Sequence, residues 1–122
     1  MKVTDEKNRK AGELSFTSVY PLYLNKIQKK GRTANELNKI IEWLTGYNES
    51  QITKMLEDET TFKVFFENAQ INPKANQIRG VICGYRIEEI EDKFQLYKNC
   101  RYLDKLIDEL SKGKELNKVL RD

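Results

Sequence analysis

From Thr33 to Ala69 the apolar residues recur three and four apart, in runs that each open on a helix-capping residue. Thr33 and Glu36 spell the box T-x-x-E, in which a hydroxyl and a carboxylate satisfy two of the N–H groups that a helix start leaves open. Leu37, Ile40, Ile41 and Leu44 follow at i, i+3, i+4 and i+7, one stripe of a 3.6-residue helix. Gly46 supplies the left-handed stop. Asn48 and Gln51 repeat the cap pair ahead of Ile52, Met55 and Leu56. Thr60 or Thr61 restarts the chain into Phe62, Phe65, Phe66 and Ala69, and Asn72-Pro73 breaks the pattern with a turn. The period-two alternation of a half-buried strand is missing from this stretch, so the fold class is set as helical.

The flanks extend the reading. Ser18 is placed to cap a helix with Val19, Leu22, Tyr23 and Ile27 inward and Pro21 in its first turn, where a missing N–H costs least. Lys29 and Lys30 ahead of Gly31 make a favourable cationic C-terminus. From about Lys93 to Lys112 runs a long helix with Leu96, Cys100, Leu103, Ile107 and Leu110 inward, closed by Gly113 and followed by a short helix carrying Leu116, Val119 and Leu120. Between Asn76 and Asp92 two patterns compete. Ile78, Val81, Ile82 and Tyr85 fit helical spacing, whereas Gly80, Gly84, Val81 and Ile82 form helices poorly. We read this part as helix, since no second strand is evident to pair with it, and keep a short extended segment over 79–87 as the rival.

With 122 residues the chain is one domain. We expect an all-α fold, a small bundle of about six to seven helices over 15–122, preceded by a mobile tail over 1–14. That tail, Met1 to Glu13, alternates charge signs and has no apolar export core. No apolar run approaches the roughly 20 residues that cross a bilayer. With 2 cysteines, reduced thiols and a cytoplasmic address are the expectation. The chain has no histidine, which excludes the Ser-His-Asp triad, the Cys-His dyad and every histidine-based metal site. Gly80 and Gly84 lack the Lys-Ser/Thr that completes a phosphate loop. No catalytic residue, metal ligand set or cofactor is assigned.

Four strings suggest a family: Trp43-Leu44-Thr45-Gly46-Tyr47, Gly80-Val81-Ile82-Cys83-Gly84, Ile87-Glu88-Glu89-Ile90-Glu91-Asp92, and Arg101-Tyr102-Leu103-Asp104-Lys105-Leu106-Ile107-Asp108-Glu109-Leu110. In that order, over about Val19 to Arg121, the chain resembles a bacterial family known as domain of unknown function 2200. The resemblance implies a small, cytoplasmic, mainly helical domain with an orthogonal bundle. It implies no activity.

Three sets of residues remain as candidate surfaces. Trp43, Tyr47 and Tyr102, with Tyr20 and the neighbouring Arg101, could form an aromatic contact patch, or else close the end of the core. Lys26, Lys29, Lys30 and Arg32 make the best basic patch, in a segment (1–32) that carries +5. Alone it would hold nucleic acid weakly and with strong salt dependence. Glu88 and Asp92, in an acidic run, and Asp104 and Asp108, one helical turn apart, are the carboxylates that could serve acid–base or Mg²⁺ chemistry. Arg101, Lys105 and Lys112 at ion-pair spacing explain the second pair without a site. Cys83 and Cys100 read as small core residues. The leading expectation is a non-enzymatic module that works by protein contact, with itself or another protein. A nucleic-acid regulator and a carboxylate enzyme are the alternatives.

Overall fold

In the computed structural model, which describes residues 2–121, the chain forms a small, mostly α bundle with one short hairpin. The helices are α1 (Asp5–Glu13), α2 (Phe16–Gln28), α3 (Ala34–Thr45), α4 (Glu49–Glu57), α5 (Phe62–Glu67), α6 (Gln95–Ser111) and α7 (Leu116–Val119). Strands β1 (Val81–Ile82) and β2 (Tyr85–Arg86) lie between α5 and α6, flanked by 3₁₀ turns at Pro73–Gln77, Ile87–Glu89 and Asp92–Phe94.

The local signals act as their chemistry dictates. Both capping boxes form, with Thr33 and Asn48 as N-caps and the Glu36 and Gln51 side chains reaching back. Gly46 ends α3 at φ 77° and Thr61, not Thr60, caps α5. Helix α6 falls within two residues of its expected ends.

Three expectations change. Residues 5–13 of the supposed tail are helix: Thr4 caps α1, Asp5 and Glu6 complement its N-terminal dipole, and the helix packs on α5 and α6. Gly12 permits that approach, since a Cβ there would stand 2.6 Å from Leu96 Cδ2. Met1 and Asp122, at the outer ends of the two predicted spans, lie outside the described residues. Second, Ser15 rather than Ser18 caps α2. The helix starts earlier, Phe16 and Ile27 become its buried anchors, Pro21 falls at its sixth residue, and Leu22 turns outward at 65% exposure. Third, the extended reading of 79–87 holds over the helical one. Strands β1 and β2 pair antiparallel with Val81 opposite Arg86 and Ile82 opposite Tyr85. The connecting residues Cys83 and Gly84 both take positive φ, 53° and 83°, which is the type I′ turn whose twist suits a two-residue hairpin. The second strand is thus the near continuation of the first. Cys83 lies exposed in the turn, not in the core, while Cys100 is buried as expected.

Two apolar clusters result. The main one joins α2, α3, α5 and α6 around Phe16 and Phe65, whose rings stack at 4.5 Å, with Phe62 and Phe66 alongside. Burying each such side chain contributes about 1.5–3 kcal/mol. The smaller one, Tyr85, Ile90, Phe94 and Tyr97, sits between the hairpin and the start of α6 and takes Val3 and Ala11 as its cover. Beside the main cluster, Phe16 N donates to Thr60 O and Phe62 N to Leu14 O, each at 2.8 Å, so the α1–α2 junction is clasped to the α4–α5 junction.

Candidate functional site

Where the C-terminal end of α1 and the first half of α2 meet α6, the surface opens into a groove of about 260 Å³. Its walls are mostly apolar, from Ala11, Leu14, Val19, Leu22 and Phe62, and its polar groups come from Tyr23 on α2 and from Arg101 and Asp104 on α6. Leu22 and Leu14, 65% and 51% exposed, form its lips. Tyr23 lies seven residues after Phe16, on the buried side of α2, and its hydroxyl donates to Asp104 at 2.8 Å. Burial, and then the Asp104 charge, push that hydroxyl well above the ordinary tyrosine value. Arg101 pairs with Asp104 through Nη1 and donates from Nη2 to the Tyr97 hydroxyl at 2.7 Å. Its guanidinium also lies 4.7 Å from the Tyr97 ring centre, a cation–π contact. Lys7 of α1 extends the chain of contacts by donating to the Tyr85 hydroxyl at 2.8 Å, which holds that group below its usual range. Cys100, on the groove floor, is pushed up to about 12 by burial and then by Asp104, so its thiol stays protonated at neutral pH.

The remaining candidates scatter. Tyr102 is buried in the main core, and Trp43 and Tyr47 pack partly buried against it. Tyr47 lines a separate groove between α4 and α5 and its hydroxyl donates to the Phe65 carbonyl, while Tyr20 donates to Asn38 at 2.7 Å. The aromatic residues therefore close the core, and of the predicted contact set Arg101 alone reaches the α2–α6 groove. The basic patch is divided as well. Lys26 pairs with Asp108 at 3.2 Å, Arg32 with Glu36 at 2.6 Å, and Lys29 and Lys30 remain exposed at the end of α2. Asp108 is also held by Lys112 at 2.9 Å; burial opposes its charge, but these two lysines outweigh it and keep the carboxyl below its ordinary value. Glu88 accepts from Gly80 N at 3.1 Å, and Asp92 stands 94% exposed beside Lys98. Ile87 and Ile90 anchor that acidic face from beneath. No group of three or more acidic or cysteine side chains is placed to hold a metal ion among the described residues. Among them, too, no helix is long and apolar enough to cross a membrane.

Sequence reasoning missed Leu14, Leu22, Tyr85 and Lys7. The choice of Ser15 as cap would have turned Leu22 outward. Lys7 and Tyr85 are 78 residues apart, beyond the reach of any local pattern.

Residues 10–121 match the family model described as "Uncharacterized protein conserved in bacteria (DUF2200)". The chain belongs to the DUF2200 family. The crystal structure of the uncharacterized protein SP1917 superposes on this DUF2200 chain with a TM-score of 0.85, at 38% identity, covering 93% of this chain and 92% of that one. No curated protein matches the chain. The DUF2200 fold is thereby fixed as a mostly α bundle, and the resemblance carried by the four strings holds.

Proposed function

We propose that the protein is a small, cytoplasmic, non-enzymatic contact module whose partner is a second copy of itself. One observation carries the reading: Leu22 stands 65% exposed at the lip of an apolar groove. A projecting side chain beside a recess on one surface suits a two-fold contact, in which each copy lends a knob and receives one. Leu14 on the facing lip widens the apolar area that such a contact covers. The Asp104 carboxylate lies within its own ion pair and hydrogen bond, which supports a positioning role for the groove's polar groups rather than turnover.

Sedimentation velocity over a concentration series tests this. The wild-type chain is expected to dimerise, and Leu22→Asp to weaken the dimer by at least tenfold with its helical dichroism unchanged. A chain that stays monomeric at high micromolar concentration, or a dimer indifferent to Leu22→Asp, refutes the reading.

A further inference from the structure

On the other side of α1, between it, α5 and α6, lies a second cavity of about 510 Å³. Its floor is apolar, from Phe66, Leu96 and the bare Gly12. Two carboxamides look into it. Asn8 accepts the backbone N–H of Tyr97 at 2.9 Å, and because a backbone N–H bonds only to oxygen, the amide nitrogen is the atom left over. Asn99, 5% exposed, accepts from Gln95 Nε2 at 2.7 Å. Neither amide nitrogen donates to a described residue. Both oxygens are thus engaged inside the protein, and up to four N–H donors remain for whatever occupies the space. Among the described residues the buried side-chain N/O atom without a partner is Arg101 Nε, so the two amide nitrogens keep contact with solvent and a ligand carbonyl would take the place of water on them. The rim selects little by charge, since Arg9 and Glu13 are paired with each other and Lys63 is balanced by Glu67 one turn on.

We propose that this cavity binds small molecules that join an apolar body to a carbonyl oxygen, with the oxygen received by the Asn8 and Asn99 amides and the apolar body laid on Phe66 and Leu96. The site does not depend on self-association, because Leu22 and the α2–α6 groove lie outside it.

The test uses the full chain, ¹⁵N-labelled, with two probes of one carbon skeleton. 3-Phenylpropionamide carries the carbonyl; 3-phenylpropylamine replaces it with an ammonium, which can only donate. The amide is expected to shift the side-chain amide signals of Asn8 and Asn99 saturably, with a dissociation constant of about 1 mM, as suits so small a ligand. The amine should leave them in place. Asn8→Asp keeps an oxygen for the Tyr97 N–H and so preserves the fold, to be checked by its melting curve, but it replaces the donor with a carboxylate. That variant should lose about tenfold in affinity for the amide probe, as for one lost hydrogen bond, and gain for the amine. Equal response to both probes, shifts confined to the α2–α6 groove, or an Asn8→Asp variant of unchanged preference overturns the proposal.

Discussion

Arg32 shows how far one side chain can be from its sequence appearance. In the primary structure it completes a basic patch; in the fold it joins three elements. Nε and Nη2 engage Glu36 of α3, and Nη1 donates to the carbonyls of Leu110 and Lys114 at 3.2 and 2.9 Å, at the end of α6 and the turn beyond it. Glu36 in turn serves twice, as the N3 partner of Thr33 and as the counter-ion of Arg32. The Arg32 hydrogen bond, against some cost of burial, holds its carboxyl below the ordinary value of 4.5. A depressed carboxylate stabilises the fold above its unfolded-state value and loses that contribution as pH falls through the folded one. Glu36→Gln, which keeps the cap, should therefore destabilise by about 1 kcal/mol at pH 7, as for a charge-assisted hydrogen bond at a partly exposed site. The gap from wild type should close on acidification below the ordinary value, as read by urea melts at several pH values. A gap that persists in acid would mean that packing, not charge, sets the effect. The capping half of this residue's role was legible from T-x-x-E. The Arg32 contacts with Leu110 and Lys114 span 78 and 82 residues and were not.

Elements divide along the same line. The starts of α3 and α4 and the stop at Gly46 were readable because caps and left-handed glycines act within four residues. The α1 helix was not. Its residues are almost all polar, and it is held by seating Gly12 and Ala11 against distant partners rather than by an apolar stripe of its own. The extended segment over 79–87 stood only as the rival reading, and its turn went unrecognised for a chemical reason. Asn-Gly or Asp-Gly announces a type I′ turn, and here the first position is Cys83, a residue with no preference for positive φ. Cys83→Asn should accordingly raise stability by about 0.5–1 kcal/mol, visible as a higher melting temperature. No change, or a loss, would show that the exposed thiol holds the turn by a contact of its own. The candidate site was half legible. Arg101 and Asp104 stood out as an ion pair at i, i+3, but the Tyr23 hydroxyl and the Leu22 lip depend on where α2 begins.

The molecule as a whole is two apolar clusters sharing α6 as a common wall, with α1 laid across the smaller. That division explains why Leu37, Ile40, Ile41 and Leu44 of the main core followed from periodicity, while the second cluster, gathered from a hairpin, two 3₁₀ turns and the start of α6, did not. The pair of hydrogen bonds between Phe16 and Thr60 and between Phe62 and Leu14 has a mechanical meaning. If the two ends of the chain are drawn apart in an optical trap, α1 lies outside this clasp and peels away first at low force. The tension then reaches both bonds together, and everything from α2 to α4 stays slack behind them. Extension should pause there and resume in one abrupt lengthening as that enclosed stretch pays out. A smooth, featureless stretch would show that the clasp bears no load.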